Sequence, residues 1–284
     1  MAKRIVTRTI YGAHLQKHLV LNIPYEVPEN TTLNEKFNIG TGETLPPDTT
    51  PDIRYFCIGD RGHRVRTGAD GVAFTSPINH RASDAALFHH LPFILRREDD
   101  DISVSRRAQY ALRRIEQHHG ERYIAYYLKR IDTSTVASQL LHTRIQDGVT
   151  TSEEFIPNTD NLNPEPPEIP NSGVITTDGN YLSTSSILNI VFDEWDVEEL
   201  VNVARVLYDN EERALVSEIG LCSGVDKVVT TSAPTGSFNY MEALAVQVAT
   251  FITGYYPVGF TNQGFTFQID AGATEPLLSY EAGD

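Results

Sequence analysis

The sequence predicts an α+β protein that is β-rich, with a few short helices, extended arms and long Pro-rich loops. Two observations carry this prediction. Short runs of β-branched and aromatic residues recur along the 284 residues, separated by segments rich in Pro, Gly, Asn and Asp. The hydrophobic content of 40% is ordinary for a globular chain that buries a core.

The first elements are a helix and an arm. Apolar and histidine side chains between Ile10 and Leu19 recur at helical spacing, and Pro24 and Pro28 end the pattern. Residues 28–52 are rich in Pro, Thr, Gly and Asn, which predicts an extended arm. Because such backbone cannot pair locally, we expect the arm to contact a neighbouring chain.

Strands and turns follow the arm. Residues 53–58 form a β-branched and aromatic run, and the glycines of residues 59–71 predict two tight turns. Residues 82–90 contain Ala and Leu at positions that suit a short helix, which Pro92 would end. Residues 93–95 would then begin another strand.

Residues 106–131 fit either a helix or a β-hairpin. Val104, Ala108, Ala111 and Ile115 have helical spacing, whereas the aromatic-rich residues 123–128 favour a strand. We predict the hairpin, with its turn at residues 117–120. The histidine pair in that turn has no partner residues at metal-ligand spacing, so no metal site is expected.

A Pro-rich linker is predicted at residues 147–180, which contain five prolines among Asn, Asp, Glu and Gly. The predicted organisation is an N-terminal mixed α/β region (1–146), this linker, and an acidic C-terminal α+β region (181–284). The linker, like the arm at residues 28–52, is expected to have little regular structure and to touch neighbouring chains.

The C-terminal region is organised around a strand–helix–strand unit at residues 187–229. A β-branched run is followed by a helix with Asp196 as its N-cap and Glu199 as the capping-box partner, and then by a second strand. Residues 265–269 alternate as a final strand, and the chain from about Gly272 is predicted to be a mobile or partner-bound tail. The cysteines, Cys57 and Cys222, are interpreted as buried free thiols, although a disulfide is possible.

The net charge of −15 is unevenly distributed. Residues 1–150 hold 20 Lys/Arg and 17 Asp/Glu, a net +3, whereas residues 151–284 hold 3 and 21, a net −18. An acidic chain is a poor ligand for nucleic-acid phosphates, so no direct nucleic-acid grip is expected. The basic start at Lys3 and Arg4 is not followed by an apolar core of about 7–15 residues, so no secretory signal is expected. No apolar run approaches the roughly 20 residues that span a bilayer, so no membrane partner is expected.

Several segments resemble virion structural proteins of tailed bacteriophages. They are residues 54–63 (RYFCIGDRGH), 82–95, 123–132 (YIAYYLKRID), 217–226 (SEIGLCSGVD) and 265–276. These short segments are distributed over most of the chain. The resemblance implies a non-enzymatic component of a tail, baseplate or neck, located in the virion and assembled in the host cytoplasm. Its implied partners are copies of itself in a ring and other tail, baseplate or neck proteins.

Two alternative functions stay open. A carbohydrate- or host-receptor-binding module could present Trp195 or tyrosines, and a cell-wall hydrolase could use a carboxylate pair. The sequence has neither a Gly-x-Ser-x-Gly nor a His-Glu-x-x-His motif, so we predict no enzyme, no cofactor and no catalytic residue.

The predicted protein-interface residues are six arginines of the first half. We expect them to meet acidic surface on a neighbouring copy, because adjacent acidic surfaces repel unless a basic surface lies between them. The alternative is that they pair locally with residues 98–101 and Glu116. The six are Arg96, Arg97, Arg106, Arg107, Arg113 and Arg114.

Overall fold

The computed structural model describes residues 4–165, 173–176, 179–233, 236–259, 263–277 and 279–282. Strands account for 48% of the structure and helices for 17%, which confirms the β-rich class. The chain divides into two compact units: Met1–Ile131 with Val191–Thr266, and Asp132–Ile190 with Phe267–Asp284. These boundaries differ from the predicted ones, because the chain enters the second unit at residue 132 and returns to the first at residue 191.

The elements alternate irregularly between strands and short helices. In chain order they are β1 (Ile5–Arg8), α1 (Ile10–Leu21), α2 (Leu33–Phe37), β2 (Asp52–Gly59), β3 (His63–Thr67), β4 (Ala73–Pro77), β5 (His90–Leu91), β6 (Ile94–Arg97), α3 (Val104–Arg107), β7 (Tyr110–His118), β8 (Glu121–Arg130), β9 (Ser138–Gln146), β10 (Val149–Glu154), α4 (Thr159–Leu162), β11 (Gly173–Thr176), β12 (Asn180–Phe192), α5 (Glu194–Tyr208), a 3-10 turn (Glu211–Arg213), β13 (Leu215–Ala233), β14 (Gly236–Pro257), β15 (Phe265–Asp270), β16 (Ala273–Pro276) and β17 (Ser279–Ala282).

Most of the strands belong to two sheets. The larger has the order β1-β14-β13-β2-β8-β6, with β5 beside β2 and β7 beside β8. The smaller has the order β10-β9-β12-β15, with β16 beside β12. The long antiparallel hairpin of β13 and β14 lies between the edge strand β1 and β2. The pairs β3–β4 and β11–β17 form separate ribbons.

Aromatic side chains from three separate segments of the chain meet in the core of the first unit. Phe56, Phe93 and Phe192 meet with ring centroids 5.1–6.0 Å apart, and all three are almost fully buried. Helix α5 packs against β6, and the Asn202 amide donates to the Leu95 carbonyl at 2.9 Å. The free thiols Cys57 and Cys222 are buried here with their sulfurs 3.7 Å apart. This confirms the prediction of two buried free thiols.

A bulge in β14 is held by the arm that precedes β2. The register of β13 against β14 shifts at Ser223–Val225, and Ala245 opposite has φ of +52°. The Asn34 amide donates to the Ala243 carbonyl at 2.8 Å and accepts from the Val246 N–H at 2.9 Å. Asn34 therefore replaces the ladder bonds that the bulge removes.

Replacing Asn34 with alanine is expected to destabilise the protein by about 1–3 kcal/mol, because two buried backbone groups lose their partner. The arm should also become easier to detach, and trypsin should then cleave faster after the exposed Lys36 in α2. Urea unfolding and a timed digest measure the two effects. Asn161→Ala, at an exposed position, is the control. Equal cleavage rates in the two variants would show that Asn34 does not secure the arm.

The two longer helices are confirmed, with one correction at a helix start. Helix α1 covers the predicted positions, and Thr9 caps it by accepting from the Gly12 N–H. Helix α5 begins three residues earlier than predicted: Asp193 is the N-cap, and Asp196 is its capping-box partner. Both acidic residues suit these positions, so the local pattern fits two starts three residues apart.

The helix predicted at residues 82–90 is wrong, since these residues form turns that end in β5. Backbone groups that a helix would use internally are bonded elsewhere. The Phe88 N–H donates to the Glu218 carboxylate at 2.8 Å, and the Leu87 N–H donates to His90 Nε2 at 3.0 Å. A side chain from the distant strand β13 therefore overrides the local helix propensity.

The hairpin predicted at residues 106–131 is confirmed as β7 and β8. His119 and Gly120 have φ of +52° and +80°, as in a type I′ turn that matches the twist of two paired strands. The strand at residues 53–58 is confirmed as β2, and the turn at residues 68–71 joins β3 to β4.

Three segments contain more regular structure than predicted. The arm at residues 28–52 contains α2, whose capping box is formed by Thr32 and Glu35. The linker at residues 147–180 contains β10, α4 and β11, because its prolines lie outside these elements; residues 166–172 and 177–178 lie outside the described residues. The predicted tail contains β16, paired with β12, and β17, paired with β11. Among the described residues, none of the helices has both the length and the apolar character to cross a bilayer.

Candidate interaction surfaces and buried polar sites

Two of the predicted interface arginines, Arg96 and Arg106, flank Trp195 in α5. The guanidinium carbons of Arg106 and Arg96 lie 4.4 Å and 5.8 Å from the indole ring centroid. Arg106 also pairs with Asp193 at 2.6 Å, and Arg96 donates to the Glu199 carboxylate at 3.1 Å. The hydrogen bond to Asp193 raises the pKa of Arg106 above its usual value. Both arginines therefore brace the start of α5.

The second pair is buried beneath the β13–β14 hairpin. Arg107 and Arg113 approach Asp101 at 3.1 Å and 3.5 Å, and the Arg107 guanidinium carbon lies 3.9 Å from the ring centroid of Phe238. Their side chains are only 9% and 8% exposed. These two arginines belong to the packing of the first unit.

The third pair is exposed. Arg97 pairs with Glu121 and retains 58% side-chain exposure, and Arg114 approaches Glu116 at 3.7 Å with 43% exposure. All six predicted interface arginines lie beside a carboxylate of their own unit. Arg107 and Arg113 approach Asp101, and Arg114 approaches Glu116, as in the local alternative. The other three have their nearest carboxylates outside residues 98–101 and Glu116. The six arginines form three separate groups, because strand register and helix packing separate residues that are adjacent in sequence.

A carboxylate that the sequence analysis did not single out lies at the centre of the first unit. Glu218 on β13 is fully buried and accepts the N–H groups of Arg61 (3.0 Å) and Phe88 (2.8 Å). His80 Nε2 lies 3.0 Å from the same carboxylate, and its Nδ1 lies 3.1 Å from Asp84. The sequence signal was a single Glu within the otherwise small and apolar residues 214–225.

The imidazole of His80 is held between two aromatic rings. The ring centroids of Phe88 and Phe251 both lie 3.9 Å from the His80 centroid, with interplanar angles of 10° and 13°. The stack fixes the ring so that its two nitrogens face Asp84 and Glu218. This arrangement ties the loop before β5 to β13 and positions His89 next to it.

His89 and Asp60 form a pair near the surface. His89 Nδ1 lies 2.6 Å from Asp60, and the Tyr208 hydroxyl donates to the other Asp60 oxygen at 2.5 Å. Burial alone would raise the pKa of Asp60, but the hydrogen bonds from His89 and Tyr208 lower it below its usual value. The His89 side chain is 33% exposed, so an oriented imidazole reaches solvent.

His90 is the buried neighbour of that pair. Its Nε2 accepts a hydrogen bond from the Leu87 N–H, so that nitrogen carries no proton. Burial, reinforced by the charges of Lys36, His89 and His80, lowers the pKa of His90 from 6.5 to about 3.

Lowering the pH is expected to destabilise the protein through His90. Below pH 6.5 the unfolded chain binds a proton that the folded chain excludes until about pH 3, so stability falls by about 1.4 kcal/mol per pH unit in this window and is fully retained above it. His90→Gln should reduce the loss of unfolding free energy between pH 7 and pH 5 by about 2 kcal/mol. Urea titrations at both pH values measure this. The same pH dependence in both proteins would contradict it.

An apolar and basic surface surrounds α1. Only Leu15 of this helix is buried, whereas Leu19, Val20 and Leu21 are 50–77% exposed. A groove of about 430 Å³ runs along the helix, lined by Ile10, Tyr11, Ala13, His14, Lys17 and Pro28. In sequence, the first 25 residues contain four Lys/Arg and no Asp/Glu. We name helix α1 together with the groove along it the α1 surface.

A second cavity, of about 560 Å³, lies beside the arm. It extends from Tyr25 to Leu45 and contains Glu26, Glu29, Glu35 and Glu43. Glu43 pairs with Lys227, and the pKa of Glu35 is lowered chiefly by the hydrogen bond from the Thr32 hydroxyl. Burial raises the pKa of Tyr25 to about 12, partly offset by its hydrogen bond to Gln247.

The second unit exposes an acidic segment with large apolar side chains. Residues 153–165 contain four carboxylates (Glu153, Glu154, Asp160 and Glu165) and no basic residue. Ile156 and Leu162 in the same stretch are 71% and 81% exposed. We name residues 153–165 the acidic segment. Within the part of the chain that the structure describes, three or more His, Cys, Asp or Glu side chains nowhere converge as a metal site would require.

Comparison with known proteins identifies a family but no characterised relative. A family model described as a family of unknown function (DUF7208) matches residues 1–283, so the chain belongs to that family. No curated protein and no solved structure shows significant similarity to it.

Proposed function

We propose that this member of DUF7208 is a non-enzymatic structural component of a bacteriophage virion. It would build the tail, baseplate or neck through contacts with copies of itself and with other tail proteins. The resemblance of residues 54–63 and 217–226 to virion structural proteins motivates the proposal. The observation that carries it is the exposure of the second unit.

The sheet of the second unit has few buried side chains. Among the residues of this unit whose side chains the structure describes, only Ser185, Leu188, Ile190 and Phe267 are buried, and all six residues of β10 are exposed. Exposed apolar residues are numerous: Leu140, Ile145, Val149, Ile156, Leu162, Ile187 and Leu277. A sheet usually needs one covered face to be stable, so this unit is expected to gain cover from other subunits.

The arm and the linker support the same proposal. The long Pro-rich loops that alternate with α2, β10 and α4 would lie across neighbouring chains, where their backbone groups find partners. The net charge of −15 fits protein partners better than direct contact with DNA. In this proposal the protein is located in the virion and is assembled in the host cytoplasm.

The arginines that would contact a neighbour are the exposed ones. Arg97→Glu with Arg114→Glu should leave the subunit folded, since exposed ion pairs contribute only about 0–1 kcal/mol each, and should impair assembly if the partner contact exists. Arg113 is unsuitable for this test, because a glutamate there would be placed beside Asp101 in a buried cluster.

Mass spectrometry of purified virions, followed by cryo-EM of the particle, tests the proposed function. The protein should be present at a fixed stoichiometry and should occupy density in the tail, baseplate or neck. Purified virions without the protein would overturn the proposal, as would turnover of a cell-wall substrate by the isolated protein.

The second candidate function is cell-wall hydrolysis, favoured by the oriented His89–Asp60 pair. A general base is expected to lose most of its activity on substitution to alanine. Digestion of peptidoglycan that is abolished by His89→Ala but retained in His118→Ala, at the tip of the β7–β8 hairpin, would support this function. Absence of any digestion by the unmodified protein would exclude it for this substrate.

A further inference from the structure

We infer that the acidic segment of one copy docks on the α1 surface of the next copy, so that copies associate head to tail. This inference rests on the proposed function and names the two surfaces through which copies would meet. It assigns the self-contact to residues 153–165 and to the groove along α1, and it does not involve the internally paired arginines.

The α1 surface has the features of a receptor. Its groove is lined mainly by the apolar side chains of Ile10, Tyr11, Ala13 and Pro28, with Lys17 at its margin. Among the described residues, Lys17 has no carboxylate within ion-pair distance. Val20 is 77% exposed beside it. An apolar groove with a free cation suits a ligand that carries aliphatic side chains next to carboxylates.

The acidic segment has the features of such a ligand. Ile156 and Leu162 are the apolar side chains, and among the large apolar side chains that the structure describes only Val20 and Val104 are also 70% or more exposed. Pro157 and Pro164 limit the conformations of the segment, and α4 fixes the turn between them. This pre-organisation reduces the entropy lost on binding.

Charge selects the pairing between unlike surfaces. The acidic segment carries four negative charges and no positive charge, and the described residues 4–25 carry three positive charges (Arg4, Arg8 and Lys17) and no negative charge. Two acidic segments, or two α1 surfaces, would repel each other. The attractive contact is therefore heterologous, and a heterologous contact repeats from copy to copy and closes into a ring when the rotation allows.

The sequence composition extends this asymmetry to the whole second unit. Residues 132–190 and 267–284 contain twelve Asp/Glu, and Arg144 is the single Lys or Arg. The net charge of this unit is −11 of the −15 total, counting the same 284 residues. A second copy that presents its basic N-terminal region would neutralise part of this charge, and the contact should weaken as salt is added.

A charge exchange between two full-length variants tests the inference. Variant one carries Lys17→Glu, and variant two carries Glu153→Lys with Glu154→Lys. Each variant alone should self-associate at least about tenfold more weakly than the unmodified chain in sedimentation velocity, because each places like charges at the contact. An equimolar mixture should recover association, since each groove then meets a segment of opposite charge.

Apolar substitutions provide the second measurement. Leu162→Asp and Ile156→Asp should each weaken association by at least about tenfold. Val104→Asp is the matched control: Val104 is 70% exposed at the start of α3, belongs neither to α1 nor to residues 153–165, and should leave association unchanged. Circular dichroism confirms that each variant is folded.

Three results would overturn the inference. They are an unmodified chain that stays monomeric up to millimolar concentration, variants that associate as well as the unmodified chain, and a mixture that fails to recover association. The last result would also follow if the segment docked within its own chain, because mixing cannot repair an intramolecular contact. Presence of the protein in purified virions is measured separately, so the proposed function survives a failure of this contact.

Discussion

Replacing Glu218 with glutamine is expected to lower the free energy of unfolding by about 3–5 kcal/mol. One carboxylate oxygen accepts from the N–H of Arg61, and the other accepts from the N–H of Phe88 and faces His80 Nε2. A glutamine amide must turn its NH₂ group toward one of these donor sets in either orientation. At least one buried backbone donor is then unpaired, and His80 loses a charged partner.

Denaturant unfolding of the full chain measures this loss. Glu198→Gln, on the exposed side of α5, is the matched control and should change stability by less than about 0.5 kcal/mol. A second expected effect is local: the loop between β4 and β5 should exchange its amide hydrogens faster, because Glu218 secures it. A Glu218→Gln protein as stable as the control would show that the buried carboxylate does not hold this region together.

Replacing Asp196 with alanine is expected to cost a similar amount, about 3–5 kcal/mol. Asp196 is 1% exposed and pairs with Lys129, whose ammonium also donates to the Val191 carbonyl at 3.1 Å. The same carboxylate accepts from the Tyr110 hydroxyl and from the Asp193 N–H. Its removal leaves a buried cation without a counter-charge and deletes half of the α5 capping box.

A double-mutant cycle separates these contributions. In a Lys129→Met background the uncompensated cation is absent, so Asp196→Ala should cost about 1–3 kcal/mol less than in the unmodified chain. The remaining cost reports the cap and the Tyr110 hydrogen bond. Strictly additive effects of the two substitutions would mean that the ion pair makes no net contribution to stability.

Local sequence patterns were sufficient to predict an element where the segment itself supplies the hydrogen bonds and turn residues that its backbone requires. Helix α1 begins at a side-chain cap, and the β7–β8 hairpin turns at His119-Gly120, which accepts positive φ. Helix α2 also carries a complete capping box, although the Pro-rich composition of residues 28–52 predicts an extended arm. Short-range signals of this kind can be read from a few adjacent residues.

The candidate surfaces were only partly predictable. The count and position of the arginines indicated a basic region, but two of them have partners distant in sequence: Glu199 for Arg96 and Asp193 for Arg106. Likewise, nothing local indicates that the α1 groove is left open or that Leu162 is exposed. The acidic character of the second half followed directly from composition.

By itself the sequence determined the β-rich class, the longer helices, the hairpin and the segregation of charge, because each of these depends on residue type and on spacing along the chain. Tertiary structure alone decided the conformation of residues 82–90, the partners of Arg96 and Arg106, and the stabilisation of the β14 bulge by Asn34. In each of these cases a side chain more than 80 residues away supplies the hydrogen bond or the counter-charge. Local propensity cannot contain that information, since the energy of such a contact exists only once the strands have brought its two ends together.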